Sequence, residues 1–419
     1  IPYLRILSLA INPLDPDIVY AATLGGGASK SVDGGGSWRA INTGLTTVNI
    51  RTLAVDPRDD RNVYAGTSSG IFKSTDACRS WIALKNGIFL GTTNFNAIAI
   101  DPQHVDTLYA GTSDSSNYKS TDAGESWGEL GRFSLFGSVY AFAFNPQNSE
   151  MLYAGSSGDH SLWKSSNGGA SWQYIGYDPQ GCIIQNKKVT AFAVNPQDPD
   201  ELYIGTDEGG LYKSNDGGWS VRCMSGAPSD VRALSINPLR PDTVYAASRS
   251  TGVYKTTNGW DFAAANKGIR ELNATSLAMH PQTPSVVFAG TYGGGVFVSS
   301  NDGASWTPLN NGLGDNHVQT LTAGSAMSQR LYASTYSGQV WVRPNPFPSL
   351  SAVTIATNPP GLEIKVDGTT YTTSQTFSWV WGSNHTISVV VPPASGGTRC
   401  VFANWTDGEA ISHTITVPA

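Results

Sequence analysis

One short motif recurs along most of the chain and constrains the fold more than any other feature of the sequence. Its first copy runs from Lys30 to Trp38 and reads Lys-Ser-Val-Asp-Gly-Gly-Gly-Ser-Trp. Further copies, some of them degraded, occupy residues 73–81, 119–127, 164–172, 213–219, 255–260 and 299–306. A motif that returns at intervals of roughly 40 to 50 residues is typical of a repeat architecture in which each copy is one structural unit.

Each repeat reads as four short antiparallel strands, named A to D here in chain order. In the second repeat they are Leu53–Val55, Val63–Thr67, Gly70–Ser74 and Trp81–Leu84, separated by Pro, Gly, Asn and Asp residues that favour turns. One such sheet cannot bury both of its faces, whereas sheets that stack radially cover one another. The sequence therefore predicts an all-β fold, a β-propeller built of four-stranded blades.

The last repeat is incomplete. The sequence contains eight A strands and eight B strands, but after Val342 the chain enters a Pro-rich stretch instead of a turn and a D strand. Residues Ile1 to Arg5 align with the loop that follows a D strand, so residues upstream of Ile1 are expected to supply the missing strand. We predict eight blades with the last incomplete, and seven blades as the alternative.

The Pro-rich stretch also marks a domain boundary. Residues 344–350 cannot pair as a central strand and predict a stiff linker. Beyond them, residues 351–419 hold six short strand patterns such as His385–Val391, which predict a small immunoglobulin-like β-sandwich. The predicted division is a propeller at residues 1–343, a linker at 344–350 and the sandwich module at 351–419.

Composition excludes several classes of function. Charged residues are 14% of the chain and the net charge is −6, so nucleic acid is not expected as a partner. No apolar run is long enough to span a bilayer. The four cysteines lack metal-binding spacing, and we expect neither a metal nor a cofactor. Cys182 and Cys223 lie in successive repeats, where they either form a disulfide or remain free thiols.

The chain opens at Ile1 with neither Met nor a charged-then-apolar leader, so we expect that any signal peptide has been removed or left out. We predict a bacterial protein that is secreted, periplasmic or on the cell surface. Its oligomeric state is not predicted.

The repeated Ser-x-Asp-x-Gly-x-Ser-Trp pattern resembles the Asp box, or BNR repeat, of sialidase-type propellers. The resemblance covers Ile1 to Val342 and extends to sortilin-like receptors, reducing-end xyloglucanases and propeller-type photosystem II assembly factors. It implies that the box is a structural turn between strands C and D, away from any active site, formed here by Asp33, Asp76, Asp122 and Asp302. Residues Phe402 to Gly408 resemble the immunoglobulin-like modules of secreted bacterial surface proteins.

The same resemblance places ligand sites on the opposite face, which carries the B–C and D–A loops. Several D–A loops are long and apolar, and their side chains are either tucked under the loop or offered to a partner. We predict a non-enzymatic propeller that binds a protein or glycan there, through Phe89, Phe95, Phe133, Phe136 and Tyr177. Arg51 and Arg232 start A strands near the same channel mouth and are further binding candidates.

Two alternatives remain open. A glycoside hydrolase, xyloglucanase-like or sialidase-like, needs two carboxyl groups about 5–10 Å apart, and the candidates are Asp114, Asp159, Asp207 and Glu208. The sialidase Arg-Ile-Pro motif is absent, and His160 and His317 show no partner for Ser-His-Asp chemistry. The other alternative is a structural subunit of an extracellular assembly.

Overall fold

The structure is a computed structural model that divides into two compact units, Ile1–Pro346 and Phe347–Ala419. It describes residues 5–88, 94–130, 137–158, 160–177, 181, 184–280, 283–323, 330–344, 350–357, 362–380, 384–390 and 410–416. No helix occurs among these residues. None of the described segments therefore provides an apolar helix long enough to cross a membrane.

The described part of the first unit consists of antiparallel sheets whose strands follow one another in chain order. Sheet 1 contains β1 (Ile6–Ile11), β2 (Val19–Thr23), β3 (Gly27–Ser31) and β4 (Arg39–Ala40), and sheet 2 contains β5 (Ile50–Val55), β6 (Val63–Thr67), β7 (Ile71–Ser74) and β8 (Ile82–Leu84). Sheet 3 contains β9 (Phe95–Ile100), β10 (Leu108–Thr112), β11 (Tyr118–Ser120) and β12 (Gly128–Glu129), and sheet 4 contains β13 (Val139–Phe144), β14 (Leu152–Ser156), β15 (Leu162–Ser165) and β16 (Gln173–Tyr174).

Three more sheets have four strands and the last has three. Sheet 5 contains β17 (Lys188–Val194), β18 (Leu202–Asp207), β19 (Gly210–Ser214) and β20 (Arg222–Cys223), and sheet 6 contains β21 (Val231–Ile236), β22 (Val244–Ser248), β23 (Gly252–Thr256) and β24 (Ala263–Ala264). Sheet 7 contains β25 (Ala274–Met279), β26 (Val287–Thr291), β27 (Gly295–Ser299) and β28 (Thr307–Pro308), and sheet 8 contains β29 (Val318–Ala323), β30 (Arg330–Thr335) and β31 (Val340–Pro344).

The second repeat shows how closely the sequence pattern matches the strands. The B strand β6 occupies the predicted Val63–Thr67, and all five of its residues are buried, as expected for a strand covered on both faces. The A strand begins at Ile50, three residues before the predicted Leu53, because a bulge between Ile50 and Thr52 lets the pairing continue. The A strand ends at Val55, and the carboxylate of the next residue, Asp56, accepts the Arg58 N–H at 2.8 Å and closes the turn.

The sheets close into a ring. Each A strand lies beside the A strand of the next sheet, and β1 lies beside β29 of the last sheet. The hydrophobic core sits between neighbouring sheets: one cluster joins Tyr20 and Ile41 of sheet 1 to Leu53 and Trp81 of sheet 2. This radial packing is that of a β-propeller, which confirms the predicted fold class.

Lysine side chains join successive sheets in a repeated way. The Lys of the C strand packs over the Tyr ring of the B strand, as Lys73 does over Tyr64 at 5.7 Å. Its Nζ then donates to a backbone carbonyl in the C–D turn of the next sheet. These lysine contacts join Lys30 to Ala77 (3.0 Å), Lys73 to Ala123 (2.8 Å), Lys119 to Gly168, Lys164 to Gly217 (2.8 Å) and Lys255 to Asp302 (2.6 Å).

The second unit has two sheets in its described residues. One pairs β32 (Leu350–Ile355) with β35 (Gln375–Val380), and the other has the order β34-β33-β36-β37, formed by β33 (Ile364–Val366), β34 (Thr369–Tyr371), β36 (Asn384–Val389) and β37 (Ser412–Thr416). Ile355, Ile364, Val366 and Ile387 form a small buried core between the two sheets. The immunoglobulin-like topology stays a prediction.

Candidate functional site

The repeated motif forms a self-contained turn between strands C and D, which we call the box turn. In sheet 1 the Asp33 carboxylate accepts the Ser31 hydroxyl at 2.7 Å, the Ser37 N–H at 2.8 Å and the Ser37 hydroxyl at 2.6 Å. Hydrogen bonds from the Ser37 side chain and backbone lower the pKa of Asp33 to about 2. The carboxylates of Asp76 and Asp122 accept the same set of donors.

The prediction for Asp302 was wrong by one residue. In sheet 7 the side chain that accepts the turn's hydrogen bonds belongs to Asn301, whose Oδ1 takes the Ser299 hydroxyl at 2.9 Å and the Ser305 N–H at 3.0 Å. Asp302 occupies the next position, with φ of 56°, where the other turns have Gly or Ala. Its carboxylate instead binds the Arg240 guanidinium of sheet 6 at 2.7 Å.

The box-turn side chains are therefore committed to their own loops, and the opposite edge of each sheet carries the candidate site. In an antiparallel meander the B–C and D–A loops lie together at that edge, which we call the loop face. No group of His, Cys, Asp or Glu side chains able to hold a metal ion occurs in the described part of the chain.

The predicted apolar binding residues do not assemble into a patch. Phe95 is 1% exposed and packs 6.0 Å from Tyr118 inside the core, so the prediction that it faces a partner was wrong. Phe89, Phe133 and Phe136 lie outside the described residues. Tyr177 is 71% exposed, but its backbone pairs with Trp219 and Ser220 in the box-turn segment of sheet 5.

The predicted arginines and carboxylates are mostly occupied by local partners. Arg51 donates to the Asn94 side chain at 3.1 Å, and Arg232 lies 3.4 Å from the Asp207 carboxylate. The Asp114 carboxylate accepts the Thr112 hydroxyl at 2.8 Å and the Ser116 N–H at 3.2 Å. Glu208 is exposed at a turn position with φ of 69°. Asp159 lies outside the described residues.

An exposed aromatic cluster does form on the loop face, where sheets 7, 8 and 1 meet. Tyr292 and Tyr336 are 37% and 48% exposed, and their rings lie 5.8 Å apart at an interplanar angle of 85°. The His317 ring lies 4.5 Å from that of Tyr292, and the Arg5 guanidinium lies 5.5 Å from the Tyr336 ring. We call these four residues the tyrosine cluster.

Polar contacts hold the tyrosine cluster in place. The Asp315 carboxylate contacts His317 Nδ1 at 2.7 Å and accepts the Ser337 N–H at 2.9 Å, so His317 does have an acidic partner that sequence reasoning missed. Partial burial raises the pKa of Asp315, but its hydrogen bonds from His317 and Ser337 outweigh burial and lower the pKa below its usual value. Arg5 is oriented by the Gln319 amide oxygen at 3.3 Å.

Exposed apolar residues continue this surface onto sheet 1. The Leu24 N–H donates to the Arg5 carbonyl at 2.8 Å, and the Val48 carbonyl accepts the N–H groups of Gly25 and Gly27. Leu24 and Val48 are 41% and 46% exposed. The loop face of sheets 7, 8 and 1 therefore presents two tyrosine rings, one guanidinium and two exposed aliphatic side chains.

One sequence signal could have identified this site. Tyr292 and Tyr336 follow their B strands at the same repeat position, where the other repeats have Leu24, Ser68, Ser113, Ser157, Asp207 and Arg249. Two large aromatic residues at equivalent positions of consecutive repeats must lie side by side in a radial array. His160, in contrast, packs its ring 4.3 Å from Tyr174 and does not belong to the cluster.

No protein-family model matches the chain, and no curated protein matches it. Solved structures that resemble it are β-propellers. The Dos1 propeller has a TM-score of 0.63 at 14% identity, covering 81% of this chain and 92% of that chain. The computationally designed Ika8 protein has a TM-score of 0.62 at 15% identity, covering 82% and 96%.

An enzyme also belongs to this set. An ancestral GH74 enzyme has a TM-score of 0.53 at 16% identity and covers 82% of this chain, which spans 61% of that enzyme's length. YCF48 bound to a D1 peptide has a TM-score of 0.50 at 12% identity, covering 72% and 93%. At these identities the likeness shows the fold alone, and it includes both enzymes and propellers of other kinds.

Proposed function

We propose that this chain is a non-enzymatic propeller that binds a glycan through the tyrosine cluster on its loop face. The observation that supports the proposal is the pair of exposed tyrosine rings beside Arg5 and the His317–Asp315 pair. Aromatic rings offer apolar surface to the C–H face of a sugar, while a few fixed polar groups select its hydroxyls. Both kinds of group lie within this cluster.

The carboxylates on the loop face are better suited to glycan binding than to glycoside hydrolysis. Glycoside hydrolysis needs one carboxyl group that stays protonated as the acid and a second one nearby. Asp315 has a lowered pKa, which favours the ionised form, and Asp207 is paired with Arg232. The likeness to a GH74 enzyme keeps hydrolysis as an alternative, which the same experiment covers.

A protein partner is the second candidate, because Leu24 and Val48 extend the exposed apolar surface beyond the two tyrosines. Interfaces between proteins are enriched in Tyr and Arg with aliphatic neighbours. The third alternative is a structural subunit of an extracellular assembly. It differs from both in that the purified chain would form oligomers on its own, which sedimentation measures.

The test is binding of the full chain to a panel of xyloglucan, β-glucan and sialoside oligosaccharides by calorimetry, with product release measured on the same samples. We expect Tyr292→Ala and Tyr336→Ala each to weaken binding about tenfold, since central aromatic contacts typically contribute more than ~1 kcal/mol. Tyr177→Ala is the matched control, because Tyr177 is exposed yet lies beside a box turn, and it should leave binding unchanged.

Several outcomes would contradict the glycan proposal. One is the absence of binding to every oligosaccharide of the panel. Another is an equal loss of affinity in the Tyr177 and Tyr336 variants. Turnover that disappears in Asp207→Asn would establish the hydrolase alternative instead. Retention of a partner protein that depends on Leu24 and Val48, with no glycan bound, would favour the second candidate.

We also propose that the chain works outside the reducing cytoplasm, in a secreted, periplasmic or surface location. Cys223 is disulfide-bonded, which supports an oxidising compartment, although its predicted partner Cys182 lies outside the described residues. Cys78 is free, and burial raises its pKa to about 12, so it is unreactive. Alkylation in intact cells should find Cys223 protected; labelling of Cys223 there would contradict this location.

A further inference from the structure

The box turns of sheets 5 and 6 differ from the others in where their tryptophan lies. In most box turns a core tryptophan follows the residue that closes the turn, and four of these tryptophans are only 3–5% exposed: Trp81, Trp127, Trp172 and Trp306. In sheets 5 and 6 the core position is occupied by Val221 and Phe262, which are buried. The tryptophans of these two turns, Trp219 and Trp260, therefore lie outside the core between sheets.

Trp219 and Trp260 occupy the same place in their turns. In each turn the side chain at the box position accepts the N–H that closes the turn, from Ser220 in sheet 5 and from Asp261 in sheet 6, both at 2.9 Å. Each tryptophan is the residue just before that donor. Since sheets 5 and 6 are consecutive in the ring, the two tryptophans lie at the same edge of adjacent sheets. The other turns have small or charged residues at this place: Gly36, Arg79, Glu125, Ala170 and Ala304.

Both indole rings are exposed to solvent and held from the inner side. Trp219 is 49% exposed and Trp260 is 37% exposed. The ammonium of Lys164 lies 5.6 Å from the centre of the Trp219 ring, and that of Lys213 lies 4.5 Å from the centre of the Trp260 ring. Because both lysines are buried, they fix the rings without covering their outer surface. Exposed tryptophans that are already held in place lose little freedom on binding and are typical of binding hot spots.

A carboxylate from the A–B turn lies against each of these two box turns. The carbonyls of Asp200 and Asp242 accept an N–H from the adjoining box turn at 2.8 Å and 3.0 Å, which fixes both residues there. Their counterpart in sheet 1, Asp17, forms an ion pair with Arg330. No ion pair of Asp200 or Asp242 occurs in the described part of the chain.

The charge around the two tryptophans is negative. Five carboxylates lie at these two turns together with three cations, namely Asp200, Glu201, Asp216, Asp242 and Asp261 with Lys164, Lys213 and Arg222. Glu201 is bound to Lys213, so the carboxylates left over are the ones that reach solvent. Indole faces and carboxylates both attract positive charge, and this combination favours a cationic partner.

We propose that this edge of sheets 5 and 6 binds a basic segment of another polypeptide, whose Arg or Lys side chains stack on Trp219 and Trp260. Asp200 and Asp242 supply the opposing charge. Arginine suits the site best, because its guanidinium stacks on an indole ring and pairs with a carboxylate at the same time. In an extended segment every second side chain points to the same side, so one strand with alternating arginines presents several cations to the two turns. The site is at the box-turn edge of the sheets, opposite the loop face, and is independent of the tyrosine cluster.

The test uses a fluorescein-labelled peptide of five Arg-Ser repeats, titrated with the full chain and followed by fluorescence polarisation. We expect saturable binding that falls about tenfold when Trp219→Ala and Trp260→Ala are combined. This variant keeps the net charge of the chain, so general attraction between an acidic protein and a basic peptide would not be affected. The same peptide with citrulline in place of arginine keeps its shape but lacks its charge, and should bind the unmodified chain about tenfold more weakly.

A matched pair of charge variants completes the test. Asp242→Asn should weaken binding about threefold to tenfold, whereas Asp106→Asn should leave it unchanged. Asp106 is the equivalent residue of sheet 3, where the box turn has Glu125 in place of an exposed tryptophan. Urea unfolding shows whether each variant keeps its fold, and the citrulline comparison needs no variant of the chain.

Four results would overturn the proposal. They are the absence of saturable binding, equal affinity for the arginine and citrulline peptides, binding unaffected by loss of both tryptophans in a folded variant, and equal losses in the Asp242 and Asp106 variants. Retention on immobilised xyloglucan that depends on Trp219 and Trp260, without peptide binding, would assign the two rings to a glycan instead.

Discussion

The interfaces that carry a lysine contact differ from the two that flank sheet 8. Lys30, Lys73, Lys119, Lys164 and Lys255 each reach a carbonyl in the box turn of the following sheet. No box turn occurs among the described residues of sheet 8, and sheet 7 has Phe288 and Val298 where sheets 1 to 6 have Tyr and Lys. Between sheets 7 and 8 the described residues thus lack both the lysine and the turn that would accept it.

The interface between sheets 8 and 1 solves the same problem with different groups. Val342 occupies the lysine position and packs against Gly35, while Arg330 forms an ion pair with Asp17. The Tyr332 hydroxyl donates to the Pro16 carbonyl at 3.2 Å. A backbone carbonyl turned inward at a positive-φ residue needs a donor, and the comparison shows that a lysine is used only where such a turn follows.

The largest effect should come from Lys213, the lysine of sheet 5. Its Nζ binds the Glu201 carboxylate and lies 4.5 Å from the Trp260 ring; the Lys213 side chain is buried and that of Glu201 is largely buried. Lys213→Met leaves Glu201 as an unpaired buried charge, so the free energy of unfolding should fall by about 3–5 kcal/mol. Urea unfolding monitored by tryptophan fluorescence measures the change.

Two further variants distinguish the contribution of the ion pair to stability from that of the packed lysine side chain. Lys213→Met combined with Glu201→Gln removes both charges and should recover part of the loss. Lys267→Met, at an exposed lysine, should change the free energy of unfolding by less than about 0.5 kcal/mol. Equal losses for the single and double variants would show that the charge pair is not the cause.

A smaller loss of stability is expected for Lys255, whose ammonium binds a backbone carbonyl instead of a carboxylate. Burial lowers the pKa of Lys255, yet its ammonium still donates to the Asp302 carbonyl at 2.6 Å. Lys255→Met should cost roughly 1.5 kcal/mol, the low end for hydrogen bonds to charged groups, because the side chain is only half-buried.

Val298→Met tests the comparison directly. It places the same methionine at the same position of sheet 7, which no box turn follows among the described residues of sheet 8, and should change the free energy of unfolding by less than about 0.5 kcal/mol. If the two methionine variants lose equal stability, the lysine contact contributes nothing beyond packing, and the distinction between the two kinds of interface fails.

Local sequence patterns were sufficient to predict the strands but not the contacts between distant repeats. Val63–Thr67 was predicted with its observed bounds because alternation and turn residues act within a few positions. The box position of sheet 7 was assigned to Asp302 instead of Asn301, one residue too late, because an aspartate matches the motif by residue type. The tyrosine cluster joins Arg5 to Tyr336, which only ring closure brings together.

The smallest effect should come from the box turn itself, which supplies the acceptor in each lysine contact. Hydrogen bonds from the Ser80 side chain and backbone lower the pKa of Asp76 to about 2, below its ordinary value of 3.8. A carboxyl group with a lowered pKa contributes stability above its unfolded pKa and loses it as the pH falls through the folded one. Asp76 should therefore weaken the fold between about pH 4 and pH 2.

Asp76→Asn is the matched variant, because Asn167 and Asn301 already fill this position in sheets 4 and 7 and bind the same serines. Near neutral pH the variant should lose little stability, whereas its stability should fall less steeply than that of the unmodified chain between pH 4 and pH 2. Thermal unfolding across this range measures both slopes. Identical slopes would mean that the turn carboxylate is not held by its serines, and the lysine contacts would then rest on a turn that the backbone alone maintains.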